Sequence, residues 1–390
     1  MESVAASTQR EGAPNVRSVI WTVKERLSFR SLDKEVVEPG ICTACYGCVS
    51  FCTANELNVL TIKKDKPTYL DEKKCLEDGI CYLICPRTSD LDKAIENKFG
   101  SKGPIGSFVS IRSLRTTNKK IAKVACDGGF VTSLLHFMLD TKKIDGAVLS
   151  RKATLWNNEP MIATKLEDLI RCAGSSLAQS KSIHGLGDLT TYAPILSALR
   201  DRNLLDQSKL AVVGTPCQTL TIRKMQLLHI VPSHMVRFII GLFCFENFLM
   251  HGDGSKYLVD KIGTDLDQIE RINLKDDFTV RLKDGRISHI DLDGLGPIVR
   301  SECLACMDFS NNVADVSVGG IGSPDGYTTV IVRNDAAQKL INQAISQGYI
   351  EETDVKGVVE KIEKMAERKS RRGRRVLAER KAAASHSGRV

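Results

Sequence analysis

The segment "CTACYGCVSFC" places Cys42, Cys45, Cys48 and Cys52 with two, two and three residues between them. Thiolates are soft ligands that suit iron–sulfur clusters and zinc. Three of them in seven residues can wrap one face of a four-iron, four-sulfur cube, leaving the fourth to reach a neighbouring centre. Zinc knuckles draw their ligands as two pairs, which this run matches poorly. A second run, "CLEDGICYLICP", supplies Cys75, Cys81 and Cys85. There Asp78 stands where the same spacing asks for a thiolate, with Gly79 beside it to relax the turn.

This is the spacing of bacterial ferredoxins, in which the last cysteine of each run serves the other cluster. One cluster would then take Cys42, Cys45, Cys48 and Cys85, and a second would take Cys52, Cys75, Cys81 and position 78. A carboxylate is a harder ligand than a thiolate but can still hold iron. Three readings of Asp78 stay open: a ligand to a 4Fe-4S cluster, a free group beside a 3Fe-4S cluster, or a loop aspartate that binds no metal. Of the six remaining cysteines, Cys303 and Cys306 form a pair on a loop. Cys217 follows a strand end in "GTPC", and Cys244 lies near the end of the next strand-like run. Adjacent strand ends would gather these four into a third set. Isolated cysteines are ordinarily small buried apolar residues, so spacing alone leaves that set open. No histidine takes a role, since no cysteine pair precedes His229 and His234 at zinc-finger spacing.

The elements that must position these groups divide the chain into four. Residues 1–36 read as a polar extension with one short amphipathic piece, "VIWTVKERL". Residues 37–92 carry seven of the thirteen cysteines, and 93–116 are Gly/Ser-rich, as a linker or embedded loop would be. From about 120, helical and strand patterns alternate. "GGFVTSLLHFMLDTKK" has helical periodicity, and "IDGAVLS", "KLAVVGT", "MVRFIIGLF", "ADVSVGG" and "TTVIVRN" read as strands. "FTVRLKDGRISHIDL" is two alternating runs around Asp-Gly, a hairpin signal. Pro216 opens a helix, and Gly348 closes the amphipathic "AAQKLINQAISQG". Residues 351–390 are helix-prone and basic.

Charge and composition narrow the function classes. Residues 361–390 hold eleven Lys/Arg against three acids, an excess equal to the whole-chain net charge of +8. The body is therefore neutral and no nucleic-acid partner is expected. The basic tail is expected to be a solvated helix, with contact to anionic lipid or an acidic partner as the alternative. The longest apolar run, "FIIGLFCF" at 238–245, is too short to span a bilayer, and the N-terminus has no apolar signal region. The expectation is a cytoplasmic chain whose many cysteines serve metal rather than disulfides.

The series "CDGGFVTSLL", "AGSSLAQS", "VVGTPCQTLTIRKMQ", "GLFCFENF", "CLACMDF" and "ADVSVGGIGSPDGYTTVIVR" resembles the β subunit of the coenzyme F420-reducing hydrogenase and its relatives over about residues 37–350. With cysteine runs directly upstream, the chain is most similar to the F subunit of the reduced-F420:phenazine or quinone oxidoreductase. The resemblance implies an α+β or α/β protein: a two-cluster ferredoxin-like module at 37–92, a mixed α/β FAD- and F420-binding domain at 93–350 with a further cluster, and the basic helical tail. It also implies that Cys217, Cys244, Cys303 and Cys306 ligate that third cluster. Flavin contacts would come from Asp127, Gly128, Gly129 and Thr132, from Gly214 and Thr215, and from the loop with Gly322, Ser323, Gly326 and Thr328. Two departures stand out beside Asp78. Ser176 and Leu177 replace a lysine and a tyrosine common in the family, and Cys126 stands where glutamine is common.

The implied activity is oxidation of reduced coenzyme F420 by hydride transfer to FAD. Single electrons then pass to the third cluster, through the second and the first, and out to other subunits of a membrane electron-transport complex. The same resemblance allows an F420- or ferredoxin-linked electron-transfer subunit of a hydrogenase, formate dehydrogenase or reductase complex. No residue is assigned as a general acid or base.

Overall fold

Runs such as "LAVVG" and "FIIGL" are apolar on both faces, as strands buried between two layers must be. A computed structural model describes residues 27–100, 103–154, 157–175, 179–191, 208–250, 252–275, 277–354 and 357–387. All but Leu27 of "VIWTVKERL", and both Ser176 and Leu177, lie outside them. Thirteen strands among the described residues form three sheets. A hairpin pairs β1 (Leu60–Lys63) with β2 (Lys66–Tyr69). The main sheet contains β3 (Ser110–Thr116), β4 (Gly146–Thr154), β5 (Asn157–Ala163), β6 (Leu210–Gly214), β7 (Val236–Leu242), β11 (Val316–Gly319), β12 (Thr328–Val332) and β13 (Ile350–Thr353). Its order is β13-β3-β12-β11-β7-β6-β4-β5. A small antiparallel sheet is made of β8 (Ile269–Leu274), β9 (Phe278–Leu282) and β10 (Ile287–Ile290).

In the main sheet β4, β6, β7 and β11 run parallel, and the flanking pairs are antiparallel. Side chains alternate between faces along each strand. Ala211, Phe238, Ile240, Val318 and Val330 pack under the helices Phe130–Asp140 and Asp335–Ser346. On the other face, Val212 and Ile239 meet Ile183 and Ile222 of the helices Ser182–Thr191 and Pro216–Leu227. The molecule is thus a mixed α/β layer structure. The parallel strands deliver their C-terminal ends to one edge, where such folds place their ligands.

Three expectations change. The stretch 93–116 is no linker: it lies mostly in the helix Asp92–Phe99 and in β3, which sits between β12 and β13. Its Gly/Ser content concealed a strand with few large apolar residues. The division at 351 falls inside β13, an edge strand of four residues. The basic tail is not a solvated appendage. In the helix Val358–Ser387 an inward stripe of Val358, Ile362, Ala366, Lys369 and Gly373 is buried, and the outward Arg371, Arg374 and Arg375 are exposed.

The cysteine-rich unit has its own core of Phe29, Leu32, Val49, Phe51 and Ile84, into which the body sends Met225 and Ala305. Polar clamps fix the two together. Arg87 donates to the carbonyls of Ile41, Glu302 and Ala305. Lys224, fully buried, donates to the carbonyls of Cys85 and Thr88 and pairs with Asp92 at 3.0 Å.

Candidate cysteine centres and cofactor cavity

Both cysteine runs are built on one backbone device. In the first, Ala44 and Tyr46 adopt positive φ (51° and 63°) just before the helix Gly47–Ala54. In the second, Glu77 and Gly79 do the same (52° and 70°) before the helix Ile80–Leu83. Left-handed residues at the second and fourth positions after Cys42 and after Cys75 coil each loop alike, although such conformations cost non-glycine residues energy. Asp78 therefore occupies the place that Cys45 holds in the first loop. Its Oδ1 accepts the Ile80 N–H at 3.0 Å, and the residue is exposed.

Electrostatics resolve the thiols into three sets. Burial raises the pKa values of Cys45, Cys48 and Cys85, the last to about 12, and charge on neighbouring thiols adds to each. Cys42 acts on all three, and Cys45 acts on Cys48 and Cys85. In the second set burial pushes Cys52 up to about 12 and Cys81 well above the ordinary thiol range, with Asp78 and Cys75 acting on both. In the third, burial lifts Cys217 and Cys303 to about 11 and raises Cys244 further. Charge on Cys306 adds to all three. Cys306 is the exception. Burial would raise it too, but Lys369 and Arg87 outweigh that and hold it below the ordinary value.

Thiols crowded in an apolar setting stay protonated unless cations bind them, and donor sets of this kind suit a multiply charged metal centre that takes them as thiolates. A single zinc needs its four sulfurs within about 4 Å of one another. Among the described residues no three His, Cys, Asp or Glu side chains converge in that way. The sets also adjoin in a line. Cys48 feels the charge of Cys81, and Cys217 feels that of Cys45, so the set containing Cys42 lies between the other two.

The third set grows from strand ends. Thr215 caps the helix Pro216–Leu227, with Pro216 in its first turn and Cys217 next, 3.3 Å from the Thr215 hydroxyl. Cys244 follows β7. Asn311 ties the two strand ends together by donating to the carbonyls of Gly214 and Leu242. The Cys303 Sγ accepts the Asn247 N–H at 3.4 Å.

Against this set lies a cavity of about 570 Å³, within the range of cofactor sites. It is lined by the C-terminal ends of β6, β7 and β11, by the start of the helix Phe130–Asp140, and by Cys244 itself. Of the residues expected to contact a flavin, Asp127, Gly129, Thr132, Gly214, Thr215 and Thr328 line it. Gly128 lies behind that wall, where a Cβ would stand 2.5 Å from the Leu114 carbonyl and 2.6 Å from the Thr328 nitrogen. Gly322, Ser323 and Gly326 do not reach the cavity. The Ser323 carbonyl and Asp325 instead hold Lys275, which does. Burial raises the Asp127 pKa above the usual carboxyl value, and Lys275 offsets part of that rise. Cys126 also lines the cavity, and its Sγ accepts the Ser175 N–H at 3.0 Å.

Sequence reading missed the cations of this wall: Lys152, Lys275 and the last-helix pair Arg368 and Arg372 come from three separate segments of the chain. Arg372 pairs with Glu246 at 2.7 Å and stacks on Phe245. It also missed Lys369, 1% exposed, whose Nζ donates to the carbonyls of Cys244 and Asp308. The available signal was its place on the apolar stripe of the last helix.

Comparison with known proteins gives a consistent result. Residues 207–357 match a family described as the C terminus of the coenzyme F420 hydrogenase/dehydrogenase beta subunit, and 112–184 match its N-terminal counterpart. The coenzyme F420 hydrogenase subunit beta of Methanothermobacter thermautotrophicus is 30% identical over 285 residues, 71% of this chain and 96% of that protein. The F subunit of the F(420)H(2) dehydrogenase of Methanosarcina mazei is 27% identical over 352 residues, 86% of this chain and 91% of that one. The coenzyme F420-dependent sulfite reductase of Methanocaldococcus jannaschii is 29% identical over 79% of this chain, which spans only 46% of that relative. Among solved structures, a chain of the xenon-derivatized F420-reducing [NiFe] hydrogenase complex from Methanosarcina barkeri superposes with a TM-score of 0.64 at 29% identity, covering 72% of this chain and 95% of that chain.

Proposed function

Because the chain belongs to the family of coenzyme F420 hydrogenase/dehydrogenase beta subunits, we propose that it oxidises reduced coenzyme F420 by hydride transfer to bound FAD. Single electrons then leave through iron–sulfur clusters to a partner complex. The observation that carries this reading is the position of Cys244, which belongs both to the cavity wall and to the third thiol set. Bound FAD supplies the exchange between two-electron and one-electron chemistry.

The residues present fit such a dinucleotide. Asp127, Gly129, Thr132, Gly214, Thr215 and Thr328 would hold it. The start of the helix Phe130–Asp140 favours a phosphate, and Lys152 and Lys275 add positive charge to the same wall. The sets Cys42/Cys45/Cys48/Cys85, Cys52/Cys75/Cys81 with Asp78, and Cys217/Cys244/Cys303/Cys306 would each hold a cluster. Their adjacency supports a different order from the one expected from sequence. The set of Cys42 stands second in the line, and that of Cys52 is last and nearest the exposed Asp78 loop.

Relatives named as subunits of a hydrogenase and of an F(420)H(2) dehydrogenase support a partner complex as the destination. We take that partner to be a membrane quinone or phenazine oxidoreductase, with the outward arginines of the last helix available to an anionic surface. Protein purified without oxygen should carry FAD and iron and oxidise reduced coenzyme F420 with an artificial one-electron acceptor. A flavin-loaded preparation that reduces the same acceptor from reduced ferredoxin but leaves the deazaflavin untouched would replace this reading with a ferredoxin-linked one.

A further inference from the structure

Lys369 is a buried charge with no carboxylate bonded to its ammonium. Among the described residues its Nζ donates only to the backbone carbonyls of Cys244 and Asp308. The Asp308 carboxylate is itself engaged, accepting the N–H groups of Asn311 and Asn312. Moving an ammonium out of water costs several kcal/mol unless opposite charge stands near it. The anionic groups that face Lys369 are the thiols of Cys306, Cys244 and Cys303, together with Asp308. The helix that carries Lys369 begins at Val358, one residue after the family-model match ends.

We propose that Lys369 is a positioning residue for the centre held by Cys217, Cys244, Cys303 and Cys306, placing a fixed positive charge that raises its reduction potential. The inference rests on the reading that these thiols hold a cluster. A positive charge in a low-dielectric setting stabilises the reduced, more negative state of a neighbouring centre. Net charge and hydrogen bonding around the sulfurs are recognised determinants of such potentials. A higher potential at the set beside the cavity would draw the first electron out of the flavin site. The contact is set by close packing. Gly373, one turn further along the helix, lies against Cys306 so closely that a Cβ would stand 2.5 Å from the Cys306 carbonyl.

The test is a redox titration of the iron-loaded protein followed by electron paramagnetic resonance. In Lys369→Met one cluster signal should shift to lower potential, or be lost on its own, with the other two unmoved. Lys369→Arg, which keeps the charge, should stay nearer the parent. Gly373→Ala keeps the lysine but pushes the helix outward, and it should shift the same signal in the same direction. If Lys369→Met does not fold, Gly373→Ala decides the matter. Potentials unchanged in the variants overturn the role of Lys369. Wild-type protein with iron for only two clusters, and no third signal, overturns the cluster reading beneath it.

Discussion

Asp78 shows how much one side chain can leave open. Its loop repeats the coil of the intact run, so a thiol at position 78 would stand where Cys45 stands in the first loop. Yet its Oδ1 accepts the Ile80 N–H, which a loop aspartate that binds no metal would also do. Asp78→Cys should change the resonance signal of the set with Cys52, Cys75 and Cys81 and leave the other sets as they are. Identical spectra before and after would reduce Asp78 to a loop residue that holds the Ile80 N–H. Asp127 makes a separate prediction. Its folded pKa is raised, so the stability it contributes is complete below the ordinary value of 3.8 and is lost as the pH rises through the folded value. Asp127→Asn removes that loss. It should unfold at a higher temperature than the parent at pH above the folded value, with the advantage shrinking as the pH falls toward the ordinary 3.8. An advantage that grew in acid would contradict this sign. The cysteines were legible in sequence because each run carries its own spacing. The cavity cations were not, because Lys152, Lys275 and Arg368 converge only through tertiary structure.

Among the elements, the helix Pro216–Leu227 does most to join the parts. It starts the third thiol set with Cys217, packs Thr221 against Gly47, and anchors the cysteine-rich unit through Lys224. Lys224→Met would take from the Thr88 carbonyl its lysine donor, leave the Cys85 carbonyl to the Thr88 N–H and hydroxyl, and unpair Asp92, and it should cost about 3 kcal/mol. Hydrogen exchange should quicken at 42–52 while the main sheet keeps its protection. Equal protection in both places would mean that the remaining contacts, Arg87 and Thr221 among them, hold the unit without Lys224. A second contact is steric: a Cβ on Gly187 would stand 2.6 Å from the Ser50 carbonyl. Gly187→Ala should therefore separate the helices Ser182–Thr191 and Gly47–Ala54 at a cost of about 1–3 kcal/mol, read by urea unfolding. Strands with long apolar runs, β6, β7, β11 and β12, were plain in the sequence. β3 and β13 were hidden because β3 carries charged and small residues and β13 is a short edge strand. The last helix misled because its basic residues were counted before its inward stripe.

At the scale of the molecule, three thiol sets adjoin in a line that begins at the cavity and ends near an exposed loop. No helix among the described residues is long and apolar enough to cross a membrane. Metal binding and folding are coupled where a small core depends on its ligands. Removing iron should make 27–99 protease-sensitive before the main sheet, a result read directly from the cleavage sites. The central claim is that hydride from the deazaflavin becomes single electrons on the thiolate-held centres. Rapid anaerobic mixing of FAD- and iron-loaded protein with reduced coenzyme F420, without any acceptor, tests it most directly. The account predicts that the deazaflavin is oxidised in a single turnover and that reduced-cluster resonance signals appear in frozen samples. Deazaflavin that stays reduced, or that is oxidised with every cluster left oxidised, would contradict it.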